Sequence, residues 1–186
     1  LSNFRKEDFK AMNAAALKYF VMVSMFIFLG IALYRDLFAL IVGRNFREGI
    51  HILPVVLGAN ILSGVWLNLS FWYKREERTR FAIYVTFVGL AVAVVASLVL
   101  VPRWGNYGAA WSRFAAEAAM VGVSYYLNRR YFPTPYDVRR IVEYVLLGLA
   151  LFALSEMALP HVGEVARYGI NIVLLLTFVG YAVWRE

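Results

Sequence analysis

The chain has 186 residues, of which 62% are hydrophobic and 17% charged, with a net charge of +7. Soluble domains carry roughly 45–50% apolar residues, so this composition is that of a polytopic membrane protein. The lack of cysteine excludes disulfides, thiolate metal sites and cysteine nucleophiles, and the basic residues flank apolar runs, where topology and anionic headgroups account for them better than nucleic acid does.

A membrane-crossing helix needs about 20 apolar residues, and the sequence predicts an all-α bundle with six such spans. The first begins amphipathically around Lys10 and is uncharged from Tyr19 to Tyr34. Arg35 and Asp36 interrupt it, and Leu37–Gly43 is too short to span, which fits an interfacial or re-entrant half-helix. The second span runs from Ile52 to Tyr73, with Pro54 in its first turn and Asn60, Ser63, Asn68 and Ser70 along it. The charged turn Lys74–Arg80 joins it to the third, Phe81–Val101, so the two are antiparallel neighbours.

The third apolar run is expected to stop at Pro102 and turn through Arg103–Gly108 before the fourth span, Tyr107–Leu127. A Pro133-Thr134-Pro135 break precedes the fifth, Ile141–Leu159, and the sixth covers Tyr168–Trp184. Small residues four apart, at Ala59/Ser63, Gly89/Ala93, Ala115/Ala119 and Ala118/Gly122, would permit close helix approach. Trp72, Tyr73, Trp104, Tyr107, Tyr168 and Trp184 fall near span ends, as interfacial belts do. With six spans, one side carries thirteen Lys and Arg residues and the other five, which predicts both termini in the cytoplasm. The sequence starts at Leu1 rather than Met and reads as a fragment of a longer chain.

The fourth span carries the sharpest chemical signal. Asn106, Arg113, Glu117, Ser124 and Asn128 recur at spacings of 7, 4, 7 and 4, which keeps them on one helical face. A charge at mid-bilayer costs roughly 2.5–3.5 kcal/mol on insertion scales, so Arg113 and Glu117 are expected either to form an i,i+4 ion pair or to line a cavity for an anionic substrate or coupling cation. Asn60 and Asn68 line the same cavity or hydrogen-bond between helices. Lys18, one turn before an apolar run, either joins them or snorkels to the interface. Glu143, Glu156, His51 and His161 stand at span ends or in loops and are expected to be solvated. Two histidines 110 residues apart, no glycine-rich phosphate loop and no acidic cluster leave no metal, cofactor or catalytic constellation.

The stretch Leu98–Ala110, LVLVPRWGNYGAA, resembles the pattern that marks the polysaccharide-flippase branch of the multidrug/oligosaccharidyl-lipid/polysaccharide (MOP) exporter superfamily. Leu40–Gly49, LIVGRNFREG, resembles the segment with which that family closes a helix before the next span, and Lys74–Arg80 falls where it has a short cytoplasmic loop. The resemblance implies the last six helices of a fourteen-helix inner-membrane transporter. Residues 1–130 would supply four spans of the second lobe, and 131–186 two appended helices. The implied activity is alternating-access flipping of an undecaprenyl-diphosphate-linked oligosaccharide to the outer leaflet. The implied partners are that lipid-linked oligosaccharide, the bilayer, the N-terminal half of the same chain, and polysaccharide polymerase with other assembly proteins. Arg113 would then meet the diphosphate, with Asn60, Asn68 and Lys18 in the same cavity, and Glu117 would couple cavity opening to protonation or cation binding. The competing expectations are a drug or ion exporter of the same superfamily, and a membrane scaffold or enzyme subunit held by an Arg113–Glu117 pair.

Overall fold

The computed structural model describes residues 2–35, 49–158 and 164–186. Among them the regular elements are all helices: α1 (Ser2–Leu33), α2 (Leu53–Leu69), α3 (Phe71–Arg75), α4 (Arg80–Trp104), α5 (Asn106–Tyr131), α6 (Val138–Ala158) and α7 (Glu164–Arg185). The expected half-helix Leu37–Gly43, nearly all of the Leu40–Gly49 segment, and His161 lie outside the described residues.

Four stretches, Arg5–Leu33, Gly49–Arg75, Arg80–Trp104 and Ala166–Arg185, are long and apolar enough to cross a membrane. The other two long helices reach about 39 Å (α5) and 31 Å (α6) at 1.5 Å per residue. They are less apolar. Arg113 and Glu117 interrupt α5, and Arg139, Arg140, Glu143 and Glu156 lie in α6. On α4 the side chains of Ile83, Phe87, Leu90, Val94 and Leu98 form an exposed apolar row, a surface suited to acyl chains and not to water.

Two helix ends differ from expectation. Helix α4 continues through Pro102 to Trp104, giving up the helical bond to the Leu98 carbonyl without ending there. The break comes at Gly105, whose φ of 54° favours glycine; its N–H closes the last turn on the Val101 carbonyl at 2.8 Å, and α5 starts at the next residue. Gly108 then passes directly against the Leu100 carbonyl, where a Cβ would fall on backbone that cannot move aside. The second span bends at Ser70, whose hydroxyl donates to the Leu67 carbonyl at 2.6 Å, and α3 follows.

The chain divides into two compact units, residues 1–20 with 52–136 and residues 21–51 with 137–186. In the first, α5 packs against both α4 and α2. One end is closed by Trp72, Tyr73, Phe81 and Phe132, with Phe9, Ala82 and Leu127 against them. The Trp72 and Phe132 rings stack 6.0 Å apart, and the Arg75 guanidinium lies 4.2 Å from the Phe9 ring centre. The connector after α5 is tied down by Asn128, which donates to the Thr134 hydroxyl at 3.2 Å, and by Asn13, which donates to the Tyr136 hydroxyl at 2.8 Å. Burial pushes the Tyr136 phenol up to about 12, against the opposing pull of its Thr134 and Asn13 hydrogen bonds, so it stays neutral at any ordinary pH.

The second unit gathers the C-terminal part of α1 with α6 and α7. Phe28 meets Phe152 edge to face at 5.6 Å, and Tyr34 stacks on Tyr168 at 6.0 Å. Buried Asn171 donates to the Leu33 carbonyl at 2.9 Å, which occupies an end-of-helix acceptor of α1, and accepts from Ser155 at 3.2 Å. Arg35 grips Glu156 with both nitrogens, at 3.0 and 3.1 Å. At the other end of α6, Glu143 accepts from Arg139, Arg185 and Tyr181.

Gly108→Ala is expected to lower the melting temperature of the purified protein by about 2–6 °C, from the roughly 1–3 kcal/mol cost of overpacking. Gly122→Ala, whose Cβ meets open space, is expected to leave it unchanged or slightly raised. Thermal unfolding in detergent, followed by circular dichroism, checks both.

Candidate functional site

The first unit holds all five sequence-predicted site residues: Lys18 on α1, Asn60 and Asn68 on α2, Arg113 and Glu117 on α5. Three contacts fix how α2 and α5 align. The Phe114 ring lies against Gly58, Arg113 meets Asn60, and Trp72, just beyond α2, meets Phe132, just beyond α5. The contacts come in nearly the same order along both helices, so α2 and α5 run parallel and their polar residues stack along one seam.

At one end of the seam Arg113 Nη2 donates to Asn60 Oδ1 at 2.8 Å, both side chains being exposed. No ion pair joins Arg113 to Glu117, and among the described residues Arg113 has no carboxylate partner. A guanidinium has five N–H donors. One meets a neutral amide here, which leaves the positive charge uncompensated by the described chain.

Further along, Glu117 is half-buried, and its Oε2 is shut away with no hydrogen-bond partner among the described residues. Asn68 is 7% exposed and Ser124 fully buried; Asn68 Oδ1 and Ser124 Oγ also lack partners. The polar face of α5 therefore grades from exposed at Asn106 and Arg113 to enclosed at Ser124 and Asn128. Asn128 is satisfied by Thr134, to which it is bonded twice. Lys18 places its ammonium 4.6 Å from the ring centre of Tyr19, a contact within its own helix. The seam brings together Asn60 with Arg113, while no bond joins Glu117 to either.

Sequence reading missed three things here. Trp66, an unremarked member of an apolar run, presents a buried Nε1 without a partner. Ser112, next to Arg113, is buried and spends its hydroxyl on the Gly108 carbonyl at 2.7 Å. In the second unit Asn171 and the Arg35–Glu156 fork are structural polar groups; a lone Asn in an apolar run and opposite charges at two span ends were their signals.

No protein-family model, no curated protein and no solved structure matches the chain. The arrangement offers a cation tethered by an amide and, apart from it, a carboxyl with one oxygen enclosed and unpartnered among the described residues.

A double-mutant cycle of Arg113→Ala with Asn60→Ala is expected to give a coupling of about 0.5–1 kcal/mol, the range of a charge-assisted hydrogen bond weakened by exposure. The cycle of Arg113→Ala with Glu117→Ala is expected to give a value near zero. Chemical unfolding in detergent measures both, and the reverse ranking would restore the intrahelical ion pair.

Proposed function

We propose that the chain is the transmembrane C-terminal part of a MOP-type exporter in the bacterial inner membrane, with six spans and both ends cytoplasmic. Its substrate is an undecaprenyl-diphosphate-linked oligosaccharide, moved from the inner to the outer leaflet by alternating access. The N-terminal half of the same protein completes the cavity, and polysaccharide polymerase and other assembly proteins take the product onward.

One observation carries the reading: Arg113, on a helix of membrane-spanning length, is exposed and lacks a carboxylate partner among the described residues. Against acyl chains that charge costs roughly 2.5–3.5 kcal/mol, whereas a diphosphate entering a low-dielectric cavity needs a planar fork of donors. Asn60 holds the guanidinium in place and leaves its remaining N–H groups for phosphate oxygens. Asn68 and Lys18 stand on the helices beside it as further polar contacts, and Glu117 is the coupling carboxyl.

The Glu117 oxygen without a partner favours a second reading, an exporter of soluble cations in the same fold. Cation uptake by proteoliposomes, without rescue of glycan export in cells, would select it.

Expression of the complete gene in a strain lacking its polysaccharide flippase is expected to restore surface glycan. The Arg113→Ala variant is expected to insert to the same level and restore none. Full rescue by Arg113→Ala returns the residue to a structural role. Glu117→Gln is expected to alter the pH or ion dependence of export, and an unchanged profile removes it from coupling.

A further inference from the structure

Six buried polar atoms of the first unit have no hydrogen-bond partner among the described residues: Trp66 Nε1, Asn68 Oδ1, Trp72 Nε1, Tyr73 Oη, Glu117 Oε2 and Ser124 Oγ. All belong to α2, α3 and α5, and the buried polar side chains of the second unit show no such atom among the described residues. A buried polar group left dry costs about 1–3 kcal/mol. Six in one unit would consume much of a protein's net stability.

Their positions are regular. Glu117 and Ser124 lie two turns apart on one face of α5, about 10.5 Å along the axis, and Asn68 and Trp72 one turn apart, about 6 Å. The parallel alignment of α2 with α5 puts both sets within the same stretch of the seam, between the Asn60–Arg113 bond and the Trp72–Phe132 stack. Donors and acceptors alternate in kind: indole N–H groups donate, the amide and carboxyl oxygens accept, and the serine hydroxyl does both. A buried water needs two to four such partners.

We propose that the α2–α5 seam is a water-binding site. It holds a file of about three or four ordered waters, bonded by Ser124, Asn68 and Trp72 and ending on Glu117. Its consequence for transport rests on the coupling role of Glu117: the file hydrates the buried Oε2 of that carboxyl from the side away from Arg113. Charged side chains gather at its aromatic end: Lys74 and Arg75 on α3, Arg129 and Arg130 on α5, and Lys10 of α1 over the Phe132 ring. Helix α2 has no titratable residue, α4 between Phe81 and Pro102 has only Tyr84, which is 61% exposed, and on α5 itself Arg113 is turned to Asn60.

X-ray hydroxyl-radical footprinting of the chain in nanodiscs, with water as the probe, reads the site directly. Trp72, 1% exposed, is expected to be oxidised several-fold more than Met25, which is 3% exposed. Met25 packs against Gly148 in the second unit, away from any orphaned polar atom. Ser124→Ala and Asn68→Leu are each expected to reduce oxidation at Trp72 and to lower the melting temperature by about 3 °C, because each removes a partner of bound water. Trp72 oxidised no more than Met25, or a melting temperature raised by both substitutions, means a dry seam and overturns the proposal. The reading of Glu117 as coupling group falls separately, on an unchanged export profile of Glu117→Gln. Labelled Trp72 with unchanged export leaves the water site standing without that role.

Discussion

The fold depends on the cost of placing a charge on an apolar helix. Helix α5 carries Arg113 and Glu117 four residues apart, and the cheapest arrangement would let them neutralise each other along the helix. They do not pair. Arg before Glu is the less favourable order for such a pair, since it opposes the helix dipole. Asn60 on the adjacent helix offers Arg113 a fixed acceptor instead. The bond spends one donor without cancelling the charge, so the site keeps its attraction for an anion. Had a carboxylate stood at position 60, the same geometry would be a closed ion pair with little left to bind anything.

That placement is set upstream, by the turn that reverses the chain. Gly105 ends α4 in a conformation open to glycine, and Gly108 lets the first turn of α5 slide against the Leu100 carbonyl. The short reversal brings α4 and α5 into close antiparallel packing, with Met120 against Gly89. Once α5 is held in that register, Arg113 arrives level with Asn60 of α2. The aromatic closure of Trp72, Phe81 and Phe132 fixes the far end of the same three helices. A one-residue change in the turn would rotate α5 by about 100° and take the polar face out of the seam.

Much of this was legible in the sequence because it is periodic or compositional. Apolar runs of membrane length, charged turns between them, and a polar stripe at 3.6-residue spacing all follow from one chain read alone, and the described residues agree in being helical, with α1, α2, α4 and α7 in stretches long and apolar enough to cross a membrane. The uneven fate of the stripe was not legible. Periodicity says that Arg113, Glu117, Ser124 and Asn128 share a face, but which of them is enclosed depends on how neighbouring helices diverge along it. Pro102 misled because a helix interior can accommodate a proline by giving up the bond to the i−4 carbonyl, here Leu98, and a local pattern does not say whether it will. Glu156 read as a solvated end charge because its partner Arg35 lies 121 residues away, beyond the reach of any local pattern. Gly122, paired by spacing with Ala118, faces open space, because small-residue spacing marks where a helix could approach and not where one does.

The two units solve the same polar problem in opposite ways. In the second, Asn171 is saturated by Ser155 and the end of α1, and Glu143 collects three donors; every such bond must break before those helices can shift, which makes the unit stiff. In the first, α2 and α5 share the Asn60–Arg113 bond, while the orphaned atoms further along add none to it, and the helices are otherwise kept together by apolar packing and by the aromatic closure at one end. Apolar contact is non-directional, so a small displacement along the seam costs little, while a fully bonded network permits only discrete rearrangements. Polar atoms left open along α2 and α5 therefore cost stability and lower the resistance to movement in the same place. Arg113 and Glu117 both stand on that seam, one held by a single amide and the other with no partner at its buried oxygen.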